Sequence, residues 1–284
     1  MAKTALATKA GSEVALSEWD LEIEADADKY AETLSRDDMA IPFIAILQQL
    51  SPQLEETDEA YIEGAKQGMI VNSVTKDLYD RDIGMPFVPI SYSRSFIEWV
   101  PRAKGGGIVH EWTIDEGSQI LVQRNDSGQD IIQEGSPYGT PGNQLNDTHT
   151  HVIFAINEAA GTWAPAVMTM ASTQIKYSKQ LNTGIDGLKT ASGKSKPRFQ
   201  QLFRAKTTLR SNDQGKWYVW SFDREGGPEG VQSLDYGLEL YRSAKLFRDS
   251  LEAGERTIDH EANAKATETK TTGNSNTDDE DIPF

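Results

Sequence analysis

Residues 150–156 read Thr-His-Val-Ile-Phe-Ala-Ile. A run this short, rich in β-branched and aromatic side chains, fits a buried strand and is too short for a free-standing helix. Just upstream, Asp147, His149 and His151 alternate, so on a strand they share one face. Downstream, Thr162–Met170 repeats the pattern after a few turn residues. Further out come Met85–Tyr92, Ser95–Pro101, Ile108–Ile114, Gln119–Arg124 and Lys216–Phe222. Turn-forming clusters separate them: Lys104-Gly105-Gly106-Gly107, Asn125-Asp126-Ser127-Gly128 and Ser136–Asn146.

Helical stretches interrupt and flank this β-like region, which runs from Gly68 to Asp223. Pro42 suits a helix start in Ile41–Leu50 (IPFIAILQQL), and Ser51-Pro52 would end it. Ser172–Leu181 and Phe199–Leu209 read as helices, and Gly230–Ala253 as a longer one through Leu234, Leu238, Tyr241, Lys245, Phe247 and Leu251. Ser17–Leu34 is acidic and at most a poorly packed helix. The class is therefore mixed and β-dominated (α+β). One domain is expected over residues 15–255, after a disordered 1–14 and before a flexible linker at 256–277. Within that linker, residues 261–277 have no aromatic or large aliphatic side chain to offset ordering entropy.

The chain has 284 residues and no cysteine, which excludes disulfide scaffolds, thiol catalysis and Cys-ligated zinc. No apolar leader or membrane-length run is present, so a cytoplasmic protein without a membrane partner is expected. The formal charge is −16, which at first argues against a nucleic-acid partner. Its distribution argues otherwise. Residues 1–63 carry −11, 64–170 carry −5, 171–224 carry +8, 225–248 carry −1 and 249–284 carry −7. A basic segment lies between acidic ends.

That segment holds Lys176, Lys179, Lys189, Lys194, Lys196, Arg198, Arg204, Lys206, Arg210 and Lys216, with Tyr177, Phe199, Phe203, Trp217, Tyr218, Trp220 and Phe222 interleaved. Non-specific single-strand binders need this mixture, cations for the backbone and aromatic faces for the bases. A solvated basic face beside core aromatics accounts for the segment equally well. Gly184–Pro197 reads as a mobile basic loop that orders on DNA. In Lys216–Asp223 one face carries Lys216, Tyr218, Trp220 and Phe222 and the other Trp217, Val219, Ser221 and Asp223; one must be core, so only some of these aromatics can stack on bases. A second candidate is Trp99, Arg102 and Lys104, on a strand running into a glycine-rich hairpin tip. It is not a phosphate-binding P-loop, because no Ser or Thr follows the Lys.

The C-terminus, Asp278-Asp279-Glu280-Asp281-Ile282-Pro283-Phe284, puts an apolar tip on an acidic run. Solubility does not require Ile282 or Phe284. A docking peptide does: Phe284 offers a ring and the terminal carboxylate together, and Pro283 lowers the cost of ordering. This tip resembles that of bacterial single-stranded DNA-binding proteins (SSBs), in which a polar linker joins it to an OB-fold. The resemblance implies an OB-like core with added helices, binding of single-stranded DNA, and recruitment of replication, recombination and repair enzymes by the tip. It covers about seven residues and the linker style. The longer core and long final helix look more like a phage-encoded SSB, whose setting would be the host cytoplasm.

Two other classes compete. An acidic decoy would occupy host tip-binding enzymes without binding DNA. A metal-dependent nuclease would use Asp147, His149 and His151 as ligands, although alternating polar residues are ordinary at the mouth of a half-buried strand. No nucleophile or dinucleotide motif occurs, so a non-catalytic protein with no cofactor is the leading expectation. A homo-oligomer is compatible with the sequence.

Overall fold

The computed structural model describes residues 41–212 and 215–254, except for the side chain of Arg102. The expected disordered N-terminus, the acidic helix, the linker and the tip Asp278–Phe284 lie outside the described residues.

Among the described residues, eleven strands make two antiparallel sheets. β1 (Ile44–Ile46), β2 (Ile70–Asn72) and β3 (Leu78–Tyr79) form the smaller one. The larger sheet is organised by two long strands, β4 (Met85–Trp99) and, later, β8 (Gln144–Asn157). Between them come β5 (Ile108–Trp112), the one-turn helix α1 (Ile114–Gly117), β6 (Val122–Arg124) and β7 (Asp130–Ile132). β9 (Thr162–Ala171), helix α2 (Ile175–Asp186), β10 (Leu202–Asn212), β11 (Gly215–Glu225) and helix α3 (Gly237–Glu252) complete the order.

The long strands serve two five-stranded arrays. One end carries β11-β10-β4-β8-β9 and the other β5-β4-β8-β7-β6. The register shifts between Pro89 and Ser91. Pro89 has no N–H for the ladder, so a break falls naturally there. The central strands are buried on both faces. Met85, Phe87, Ile153, Met168 and Phe203 pack with Tyr177, Leu181 and Ile185 of α2. Val88, Val152, Phe154 and Leu202 pack with Leu240, Ala244 and Phe247 of α3. A third cluster, Ile120, Ile132 and Leu145, lies under the second array.

The first array has its outer edges covered. Val167 of β9 donates its amide to the Pro42 carbonyl at 2.9 Å. On β11, the Tyr218 amide donates to Gln48 Oε1 at 2.9 Å, and the Gln48 side-chain amide returns a bond to the Tyr218 carbonyl, also 2.9 Å. Gln174 bonds the same edge at Tyr218 O and Trp220 N. Two glutamines thus replace a missing strand partner, satisfying backbone groups that burial would otherwise leave costly. Gly68, at φ +82°, lies where any Cβ would strike the Tyr218 ring, so the close approach of this segment to β11 requires glycine there.

Two helix expectations are corrected. Ile41–Leu50 contains strand β1, because residue 41 precedes proline and is biased to extended backbone, and β2 supplies the partner. Phe199–Leu209 is a 3₁₀ turn at Arg198–Gln200 followed by β10. Phe203, Ala205 and Thr207 are buried while Arg204, Lys206 and Thr208 face outward, a period of two that outweighs the helical reading. The α2 expectation holds and extends to Asp186, and Met85–Tyr92 with Ser95–Pro101 forms one strand. Ile114 caps no strand; it opens α1, whose start is a capping box between Thr113 and Glu116. The Gly184–Pro197 segment is a tight turn rather than a loose loop: Lys189 bridges Ser195, and both bond Asp186.

Candidate nucleic-acid interface

α2 starts where Gln174 caps the edge of β11. Its first turn therefore stands beside the β10–β11 hairpin, and a cleft opens between them. Pairing sets Arg210 opposite Trp217 and Thr208 opposite Val219, so these four share a face. The cleft comprises two adjoining hollows of about 240 and 410 Å³. Lys176, Tyr177 and Arg210 line both; Trp220 and Gln180 belong to the first, Trp217 and Val219 to the second. Five predicted residues, Lys176, Tyr177, Arg210, Trp217 and Trp220, thus converge from three separate elements.

Their roles are unequal. Lys176 and Arg210 are exposed, and neither makes an ion pair among the described residues. The Lys176 ammonium stands 4.9 Å over the Tyr177 ring, a cation–π contact that orients it without neutralising it. Trp217 is half-buried and offers part of its indole. Trp220 is only 3% exposed and stacks on Phe222 at 5.9 Å, so it serves as the wall of the cleft. Both faces of β11 are occupied at Tyr218, Val219 and Trp220, which removes the expected division into a core face and a free face.

Four other predicted cations are engaged within the protein. Arg204 is clamped by Glu158 at 2.7 Å and Glu225 at 2.5 Å, and these carboxylates raise its pKa. Lys206 pairs with Asp223 at 3.0 Å, and Lys189 with Asp186 at 3.3 Å. Lys196 donates to the Pro228 carbonyl at 2.6 Å. Lys179, Lys194 and Lys216 are exposed, with Lys216 at the hairpin end. Arg198 is half-buried, donates to Asn182 Oδ1 at 2.9 Å and lies 5.8 Å from the Tyr92 ring centre.

Trp99 and Lys104 lie far from the cleft. The 15-residue β4 runs from the β10 contact at Met85 to Trp99, on the order of 45 Å if straight. The expected hairpin is present: Val100 bonds Gly107 at 2.9 Å, and Gly105, Gly106 and Gly107 all have positive φ. The turn Arg102–Lys104 forms its tip.

The histidines do something the sequence did not announce. Ser178, fully buried on α2, brings its hydroxyl within 2.8 Å of His149 Nδ1 and 2.7 Å of His151 Nε2. Tyr92 Oη is 3.1 Å from His149 Nδ1, and Asp147, gripped by Arg94 at 2.7 and 2.8 Å, lies 3.9 Å from Nε2. Ser178 can accept from one imidazole while donating to the other, and the Tyr92 hydroxyl shares the His149 Nδ1 position. Burial pushes His151 down to about 3 and also lowers His149, so both are neutral near pH 7. Ser, His and Asp stand in chain here, yet the wholly buried hydroxyl has no approach for a substrate. The ring nitrogens converge on Ser178, and no metal-ligating group of three His, Cys, Asp or Glu occurs among the described residues.

A family model described as Pam3 phage gp34-like protein matches residues 10–257. The chain belongs to that family. No curated protein and no solved structure matches it. The family match covers every described residue, reaches two residues into the expected linker and ends before the acidic tip. The whole cleft thus belongs to the family region, whereas Asp278–Phe284 lies outside it. Within the cleft, sequence reading missed Gln180, Thr208, Ser221, Thr173 and Ser211. Small polar residues are too common for their type to mark a site. Gln48 and Gln174 were missed for the same reason; only the exposed strand edge gives them a role.

Proposed function

We propose that this chain is a non-catalytic, largely sequence-independent single-stranded DNA-binding protein of phage replication, recombination or repair. The observation that carries the reading is the convergence of Lys176, Arg210, Tyr177 and Trp217 in one cleft. Free cations beside the partly exposed indole of Trp217 suit a phosphate backbone with an unstacked base, and stacking contributes roughly 1–3 kcal/mol per base. The five-stranded antiparallel array β11-β10-β4-β8-β9, with bonds at both outer edges, is compatible with an OB-like core. The tip Asp278–Phe284 would recruit partner enzymes in the host cytoplasm, the role its likeness to bacterial SSB tips implies.

Titration with oligo(dT), read by quenching of Trp fluorescence at low and moderate salt, tests this. Binding tighter than micromolar at about 50 mM salt, weakening as salt rises, is expected. Weaker binding would overturn the reading. The acidic-decoy alternative draws on a specific observation, that Arg204, Lys206 and Lys189 spend their charge on the protein's own carboxylates. It expects capture of tip-binding enzymes with no oligo(dT) affinity.

A further inference from the structure

Three arginines among the described residues are neither buried nor fully exposed: Arg198, Arg204 and Arg248. Arg204 holds Glu158 and Glu225, and Arg248 holds Glu252 at 2.6 Å. Arg198 pairs with no carboxylate among the described residues and lies 5.8 Å from the Tyr92 ring centre. Its Nε is shut away from water with no acceptor, and one terminal nitrogen reaches only the neutral Asn182 amide. Taking a guanidinium out of water without an anion is costly, and proteins ordinarily pair such a charge.

The surroundings make the imbalance sharper. Arg94 and Lys179 both act electrostatically on His149, while Arg198 acts on His151 and Tyr92 and itself feels Arg248. The carboxylates that Arg94 and Arg248 meet are already held, Asp147 by Arg94 and Glu252 by Arg248. Lys176, Lys179 and Asn182 follow one another at three-residue intervals on α2. About 9 Å of helix therefore separates the cleft lysine from the Arg198 contact.

We propose that Arg198, held by Asn182, is a phosphate-binding subsite that grips the backbone of the single strand as it crosses α2 from the cleft. It rests on the single-stranded DNA reading and adds to it a fixed phosphate position. A planar fork of donors is suited to two phosphate oxygens at once.

Full-length protein and its Arg198→Met and Arg198→Lys variants would be titrated with oligo(dT) across a salt series. Arg198→Met is expected to bind about tenfold more weakly and to lower the slope of log K against log[salt] by about one. Arg198→Lys should keep the slope and recover part of the affinity, which also controls for folding. In a second arm, inorganic phosphate is expected to raise the Tm of the wild type and not that of Arg198→Met. An unchanged slope, or equal protection of both proteins by phosphate, would overturn the subsite. If the wild type fails to bind oligo(dT), the functional reading falls and the phosphate arm alone decides: protection lost in Arg198→Met supports the site, and absence of protection refutes it.

Discussion

At the scale of single residues, two tryptophans three positions apart separate binding from stability. Trp217 is half-buried on the cleft face opposite Arg210, whereas Trp220 is 3% exposed within the core. Trp217→Ala is expected to weaken oligo(dT) binding by about 1–3 kcal/mol, roughly 5- to 150-fold. Trp220→Ala should instead cost about 3–5 kcal/mol of folding free energy, because it opens a large cavity. Urea unfolding alongside the titration checks both, and equal effects on the two readouts would dissolve the distinction. Alternation in Lys216–Asp223 was visible in sequence, but not which indole lay in the core. That depended on residues remote in the chain: Gln48 and Gln174 bond the β11 edge, and Trp220 packs in the core cluster that holds Tyr177.

At the scale of elements, α2 is docked on the sheet by Ser178, shared between two neutral imidazoles. The folded pKa of each is depressed, so the unfolded chain binds more protons whenever the pH falls below the ordinary histidine value near 6.5. Stability is therefore whole above that pH and declines through the acid range. For His151 the decline levels off near its folded value of about 3. Each histidine can contribute a loss of up to about 1.4 kcal/mol per pH unit. His151→Gln should flatten the curve between pH 6.5 and 5, measured by urea midpoints. A variant curve parallel to the wild type would show that the imidazole is not the titrating group. The alternation of His149 and His151 predicted a shared face correctly. Spacing alone could not distinguish a metal from a serine as the group they meet, since the partner came from a helix nearly 30 residues away.

At the scale of the whole molecule, charge distribution is the governing feature. The basic segment carries +8 and Asp278–Phe284 is acidic, and under the proposed function the tip competes with DNA for that segment. Deleting Asp278–Phe284 is expected to strengthen oligo(dT) binding, most at low salt, and to abolish capture of tip-binding repair enzymes in a pull-down. Unchanged behaviour on both counts would make the tip a bystander. The free charge of the folded surface is smaller than the sequence count, because Arg204, Lys206 and Lys189 are spent on internal pairs. The salt slope should follow the unpaired cations, among them Lys176, Lys179 and Arg210.

Sequence by itself determined what local chemistry can dictate. It specified the β-dominated class, the strand at 150–156, the glycine-rich hairpin, the final helix, and the segregation of positive charge into one segment. These follow from periodicity, backbone freedom and residue type over a few neighbours. Tertiary structure alone decided that Ile41–Leu50 and Phe199–Leu209 become strands, because partner strands supply the hydrogen bonds that override local helix preference. It also decided which cations pair with carboxylates and that Arg198 is half-buried with no carboxylate partner among the described residues. Those outcomes depend on long-range pairing and burial, where the energy of a charge is set by neighbours that the chain brings from far away.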